Sequence, residues 1–324
     1  MQISETFNRV LFLSFLLLGI GFLLSANKGF ASIRSNPKIT ILQIVEHPAL
    51  DITRQGIIDI LKNKKIEIEF HSAQGNTALA AQIAQKFVGT SPNVMVGIGT
   101  TATQALMSAN QHSHIPIVFS SVTDPKEAKL VYHFKNPEGN VTGVSNYIDP
   151  AIQFDFFKKI LPNLSKIGVI YNPGEPNSVT LVASMKKIAA NKGLHLILAT
   201  ANTTAEISQA TQNLMGKVQA IFINNDNTAL AAFDSIVKIS TDNKIPVFCS
   251  DVDMVDRGAL AAIGPDQYEI GRQTGKIILE IIDGKNISLI PVQFPGKIET
   301  HFNFAKAEKL NIKIPETSIL KQYN

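Results

Sequence analysis

From residue 38 onward, short β-branched apolar runs alternate with segments whose apolar positions recur at helical spacing. The runs are Ile39–Val45, Ile66–Phe70, Val94–Ile98 and Pro116–Phe119, and the helical segments between them are Ala49–Leu61, Ala78–Phe87 and Thr101–Ala109. Strands alternating with helices in this way predict βαβ units and a parallel sheet covered on both faces. The order then starts again. Strands are expected at Lys166–Tyr171, Leu194–Ala199, Ala220–Ile223 and Pro246–Cys249, and helices at Ser178–Asn191, Thr204–Leu214 and Ala229–Ser240. A strand at Ala259–Ile263 should carry the chain back to the first series. A long helix over Gln267–Asp283 follows, ended by Asp283-Gly284, and the tail holds a last strand and a short helix around Ala305–Leu310.

The second series copies the first. Ile115-Pro116-Ile117-Val118-Phe119-Ser120-Ser121-Val122-Thr123 aligns with Ile245-Pro246-Val247-Phe248-Cys249-Ser250-Asp251-Val252-Asp253. The first strands end alike, in Glu46-His47-Pro48 and Tyr171-Asn172-Pro173. The third strands both run into polar turns, Gly97-Ile98-Gly99-Thr100-Thr101 and Ile223-Asn224-Asn225-Asp226-Asn227. This period is too long for a solenoid repeat. It predicts an α/β protein of two similar, doubly wound parallel-sheet lobes joined by a multi-strand hinge near 145–150, 258–264 and 290–297. Residues 38–145 plus 264–290 form the expected N-terminal lobe, and 146–263 plus 291–324 the C-terminal lobe. Open α/β sheets bind ligands outside the carboxyl ends of their strands. Two such edges facing each other make a cleft that closes by hinge motion.

The N-terminus places this cleft outside the cytoplasm. Arg9 precedes an apolar run, Val10 to Leu24, and the small residues Gly29-Phe30-Ala31 follow it. That is the layout of a secretory signal peptide over residues 1–31, cut after Ala31 or, as the alternative site, Ala26. The run is shorter than the ~20 residues that span a bilayer, so an uncleaved anchor is the lesser reading. A periplasmic protein is expected. The net charge of +4 is scattered, its densest run being Lys62-Asn63-Lys64-Lys65, which reads as a solvated helix end and not as a nucleic-acid patch. The single cysteine, Cys249, cannot form an internal disulfide and lies in an apolar strand pattern.

Chemistry is sparse. Gly97-Ile98-Gly99-Thr100-Thr101-Ala102 follows a strand and opens a helix, but the last glycine of a dinucleotide fingerprint is Ala and no acidic residue ends the next strand. The same helix N-terminus suits a smaller anion such as a carboxylate; capping by Thr100 or Thr101 is the competing reading. None of the seven histidines has a metal-binding spacing, and no nucleophile elbow is present. No catalytic residue, metal or cofactor is expected. At the strand ends, the first lobe offers His47, Thr100, Thr101, Ser120, Ser121 and Thr123, mostly hydroxyls. The second offers Asn172, Glu175, Asn224, Asp226, Asn227, Ser250 and Asp251, all but Ser250 amides and carboxylates. Asp226 and Asp251 have turn formation or helix capping as their alternative role. Such a split suits a zwitterion, its carboxylate on hydroxyls and N–H groups and its ammonium on a buried Asp.

Segments at these positions resemble one family. They include Ile44–Asp51 (IVEHPALD), Pro116–Pro125 (PIVFSSVTDP), Val141–Ser145, Gly168–Asn177 (GVIYNPGEPN) and Leu260–Gly275 with Tyr268, Gly271 and Arg272. Together they are similar to the substrate-binding proteins of ABC transporters that bind tryptophan, phenylalanine or tyrosine. The resemblance covers about residues 38–315 and implies a type I periplasmic-binding-protein fold, closure on an amino acid and delivery to a membrane permease. Its ligand loops match His47, Thr100, Thr101, Ser120, Ser121, Thr123, Asn172, Asp226, Asn227 and Asp251. Members often carry Pro near Thr101, where this chain has Thr101-Ala102. Tyr147, Tyr171, Phe222 and Phe233 are candidates for a side-chain pocket, with core packing as the competing role of the two Phe. A monomer with a small-molecule ligand, a permease partner and no nucleic acid is expected. The alternative is an exported sensor that reports the same ligand to a membrane signalling partner.

Overall fold

The computed structural model describes residues 36–137 and 139–315. The expected signal peptide, with Ala26 and Ala31, and the tail 316–324 lie outside the described residues. No described helix is long and apolar enough to cross a membrane.

The first lobe holds β1 (Lys38–Gln43), α1 (Pro48–Leu61), β2 (Glu67–Ser72), α2 (Thr77–Gly89), β3 (Val94–Ile98), α3 (Thr100–Ala109), β4 (Ile117–Val122) and β5 (Val141–Ser145). Its strands form one parallel sheet in the order β2-β1-β3-β4-β5. The second lobe holds α4 (Pro150–Ile160), β6 (Lys166–Tyr171), α5 (Pro176–Asn191), β7 (His195–Thr200), α6 (Ile207–Gln212), β8 (Ala220–Ile223), α7 (Asn227–Ala231), α8 (Phe233–Asp242), β9 (Val247–Cys249) and β10 (Ala261–Pro265). There the order is β7-β6-β8-β9-β10, with β11 (Ile298–Phe302) antiparallel on β10. The first five strands of each sheet take the same order, so the repeat read from sequence is a repeat of topology. Both lobes belong to one compact unit starting at Pro37.

Central strands such as β3 and β4 are buried along their whole length. Helices cover both sheet faces, which is why these strands read as unbroken apolar runs and not as alternation. In the second lobe, α4 brings Phe154 and Phe157 onto Phe222 and Phe248, the Phe157 and Phe248 rings stacking at 4.3 Å. Phe222 and Phe233 are fully buried core residues. Cys249 is buried in β9, and burial pushes its thiol pKa well up. The helix α4, capped by Asp149 and started by Pro150, was not among the expected elements. The expected helix 229–240 is two helices, broken where Ala232 leaves helical geometry at ψ 23°.

Three adjacent segments connect the lobes. One follows β5, one lies between β10 and α9 (Gln267–Ile282), and one runs from Ile290 to β11. Gln293 pairs with the first crossing, accepting from Ser145 N–H and donating to Gly143. The second crossing falls after Pro265 and not within 258–264, because β10 keeps its pairing with β11 through Pro265. The helix α9 returns to the first lobe and packs on α1 through glycines. A Cβ on Gly271 would lie 2.0 Å from the Thr53 carbonyl oxygen, and one on Gly56 would lie 2.2 Å from that of Tyr268. Only hydrogen at both positions lets the backbones approach this closely.

Gly271→Ala should therefore lower stability by about 1–3 kcal/mol through overpacking. Gly89→Ala, where a Cβ meets nothing within 4 Å, should leave it within about 0.5 kcal/mol. Urea denaturation of both variants checks the pair.

Candidate functional site at the cleft between the lobes

The loops after the strands of both sheets line three neighbouring cavities. A central one of about 10 Å³ is bordered by His47, Thr100, Ser121, Thr123, Asn146, Asn177, Asn225, Asn227, Asp251 and Gln267, with Ala49, Leu50, Gly99 and Leu230 as its remaining wall. An outer one of about 610 Å³ shares Asn227 with it and adds Thr101, Asn172 and Glu175. A hinge-side one, also of about 10 Å³, shares Asn146 and Asn225 and adds Ile148, Gln153, Leu181, Ser250 and Pro265. Among the described residues, no Lys or Arg lines any of the three.

The first-lobe wall is built on the turn between β3 and α3. Gly99 precedes α3 with φ +93°, a conformation open to glycine and strained for other residues. Having no side chain, it leaves the first N–H groups of α3 without a side-chain cap. These donors, at the positive end of the helix dipole, stay available to an anion. Thr100 Oγ1 beside them is buried with no partner among the described residues. Ser121 sits near the end of β4 in a left-handed conformation, φ +53°, at the irregularity between Ser120 and Val122.

The second-lobe wall reverses this arrangement. The helix α7 occupies the same topological place after β8, but carboxylates take its first N–H groups. Glu175 accepts from Asn227 N–H at 2.9 Å and Thr228 N–H at 2.9 Å, and Asp226 accepts from Ala229 N–H at 2.7 Å. Asp226 also accepts from Asn172 N–H and Ser178 Oγ, both at 2.6 Å. Burial, and then the charge of Glu175, push its pKa up to about 7 against these donors. Asp251, also fully buried, is likewise raised to about 7, by burial first and by Asp253 to a lesser degree; the bond from Gln267 opposes the shift. The amide oxygens of Asn146, Asn177 and Asn225 are buried around the same cavity without partners among the described residues. This wall therefore presents acceptors and negative charge.

Two contacts bridge the walls. His47 Nε2 lies 3.3 Å from Asn227 Oδ1. Nearer the hinge, Gln267 accepts from Ser121 Oγ at 3.0 Å and from Thr53 Oγ1 at 3.2 Å, and donates to Asp251 Oδ1 at 2.7 Å. The cleft is thus closed.

Of the residues expected from sequence, His47, Thr100, Ser121, Thr123, Asn227 and Asp251 meet at the central cavity, while Thr101 and Asn172 border only the outer one. Two lie away from the cavity walls. Ser120 points into the first lobe and bonds Thr274 of α9 at 2.7 Å, because alternate residues of β4 face opposite sides of the sheet. Asp226 is a helix cap whose carboxylate is occupied within its own lobe. Tyr147, Tyr171, Phe222 and Phe233 do not line the central cavity. Sequence reasoning missed Asn146, Asn177, Asn225 and Gln267. Asn225 sat in the turn already quoted, next to Asp226. Gln267, at the start of α9, carried no signal until the hinge crossing beside it was located.

Comparison with known proteins agrees with this geometry. Residues 38–323 match the family model for ABC transporter substrate binding protein. A protein of Clostridioides difficile named Tyrosine-binding protein is 34% identical over 276 residues, covering 83% of this chain and 79% of its own. A crystal structure from Streptococcus pneumoniae, an ABC domain in complex with L-Trp, is 34% identical with a TM-score of 0.83, covering 88% of this chain and 97% of that one. A ligand-free, open substrate-binding protein with adhesive properties from Clostridium difficile is 31% identical yet reaches only 0.66, over 87% and 98%. The lower score against an open relative, at nearly equal identity, matches the closed cleft seen here. The family match over nearly all of the described chain, together with two lobes closed on a polar cavity, makes this protein a member of the ABC transporter substrate-binding protein family, with the type I periplasmic-binding fold.

Proposed function

We propose that the chain binds an aromatic amino acid, tyrosine or tryptophan, in the central cavity and delivers it to the membrane permease of an ABC importer from outside the cytoplasmic membrane. One observation carries the choice of a zwitterion: the uncapped N-terminus of α3 on one wall faces a wall holding the buried carboxylate of Asp251 and unpartnered amide oxygens on the other. A ligand carboxylate finds the backbone N–H groups of a helix N-terminus on the first wall. A ligand ammonium, with three N–H groups, has acceptors on the second: Asp251 and the amide oxygens of Asn146, Asn177 and Asn225. The aromatic choice is supported by the name of the Clostridioides difficile relative and by the L-Trp held in the pneumococcal one. The wall offered to a ring is aliphatic, made by Leu50 and Leu230 with Ile148, Leu181 and Pro265 toward the hinge. The family supports a transport receptor over an exported sensor.

Calorimetry on the purified chain should show one tight site for tyrosine or tryptophan and none for aspartate or glutamate. A second carboxylate would enter a cavity lined by no Lys or Arg. Preference for an acidic amino acid, or for a sugar, would overturn the reading.

Asp251 links binding to pH. Its pKa in the free chain is about 7, whereas an ordinary Asp has 3.8. The folded chain therefore holds a proton that the unfolded chain has lost, and stability falls as pH rises from about 4 to about 7. An ammonium needs the ionised carboxylate, so affinity should rise about tenfold per pH unit up to pH 7 and level off above it. Asp251→Asn should flatten the binding curve and lessen the slope of the stability curve, the remaining slope coming from Asp226, whose pKa is also raised to about 7. At pH 8 the substitution should stabilise the free chain by a few kcal/mol while weakening amino-acid binding. Thermal melts and titrations at pH 5, 6, 7 and 8 check these opposite signs.

A further inference from the structure

The cross-cleft contact between His47 and Asn227 sits where the outer and central cavities meet. Asn227 lines both, and His47 lines the central one only. The orientation of the asparagine is dictated from within the second lobe. Its Nδ2 donates to Glu175 Oε2 at 2.6 Å. A carboxylate accepts and never donates when ionised, so the amide cannot be turned round. Glu175 is in turn held by Thr228, through N–H at 2.9 Å and Oγ1 at 2.7 Å, and Thr228 Oγ1 accepts from Asn172 Nδ2 at 2.9 Å. The Asn227 Oδ1 is left facing His47 Nε2, which must then carry the ring proton. Burial lowers the His47 pKa, so the ring is neutral near pH 7 with a single proton to give. That proton is committed to the opposite lobe, and Nδ1 stays buried as an acceptor.

We propose that His47 and Asn227 form a gate that closes the cleft over its ligand, that Glu175 is the residue positioning it, and that the gate sets how fast ligand leaves, not which ligand is chosen. This rests on reading the cleft as an amino-acid site. The gate bridges the lobes on the solvent side of the central cavity, while Gln267 bridges them on the hinge side. Opening the lobes must break the first contact before the central cavity meets solvent. Entry happens with the lobes apart, where the contact does not exist, so association is untouched.

The test is a double-mutant cycle of His47→Ala and Asn227→Ala. The chain contains no Trp, so the indole emission of bound L-tryptophan reports dissociation without protein background. Each single variant should speed dissociation about tenfold with association unchanged. The double variant should be no faster than either single, and the order of preference among amino acids should stay the same. Effects that multiply, or a changed order of preference, would show two independent ligand contacts and overturn the gate. The same four chains are compared by small-angle scattering without ligand, where the gate predicts an equal loss of the compact form in all three variants. If the wild-type chain binds no amino acid, the functional reading fails and the scattering cycle alone decides the gate: opening that adds, or does not occur, overturns it. Glu175→Ala tests the positioning role. In ¹⁵N spectra His47 should be the Nε2–H tautomer in the wild type and a mixture of both tautomers in the variant, where the Asn227 amide is free to turn. An unchanged tautomer in a folded Glu175→Ala variant would remove Glu175 from the gate.

Discussion

Two helix N-termini border the cleft at equivalent places in the two sheets, and only one of them is free. After β3, Gly99 leaves the first turn of α3 without a side-chain cap. After β8, the first three N–H groups of α7 are taken by Glu175 and Asp226. The same backbone geometry thus yields a donor site in one lobe and a blocked, negatively charged surface in the other. Everything proposed for the ligand follows from that asymmetry. A carboxylate can enter only one way round, and its ammonium then falls against Asp251 and the asparagine oxygens.

Two of the buried carboxylates of the second lobe, Glu175 and Asp226, also show how such charge is tolerated. No Lys or Arg pairs with Glu175 or Asp226 among the described residues. Their partners are the helix amides, the Asn172 N–H, Ser178, Thr228 and the side chains of Asn177 and Asn227. Hydrogen bonds to oriented donors replace a counter-ion. The cost of burial still appears in the raised pKa of Asp226. Through Asn227 this local solution reaches His47 and so couples the interior of one lobe to closure on the other. The hinge side is built differently. There the neutral Gln267 turns one end to Ser121 and Thr53 and the other to Asp251, so the carboxylate nearest the proposed ammonium site is already oriented in the closed cleft.

Much of this was legible in the sequence. The strand-and-helix alternation and the match between 115–123 and 245–253 gave two lobes of the same topology, because buried parallel strands must be apolar throughout and their ends must turn. Six of the ten expected site residues meet at the central cavity for the same reason: they follow strand ends on the cleft side. Ser120 bonds Thr274 away from the cavity because neighbours on a strand face opposite ways, and the sequence alone does not say which of Ser120 and Ser121 faces the cleft. Asp226 lies off the cavity wall as a helix cap, since capping and ligand binding draw on the same residue type at the same place. Gln267 was hidden because its role depends on where the chain crosses the hinge. The residues that would cradle an aromatic ring were also missed, since the wall is aliphatic and looks like ordinary core in sequence.

The most direct measurement is a crystal structure of the chain with tyrosine or tryptophan bound. The account predicts the ligand carboxylate on the N–H groups of Thr100 and Thr101 at the start of α3, its ammonium within hydrogen-bond distance of Asp251, and Asp226 still bonded only to Asn172, Ser178 and Ala229. A carboxylate seated instead on the second lobe at α7, with Glu175 or Asp226 displaced from the helix, would contradict it.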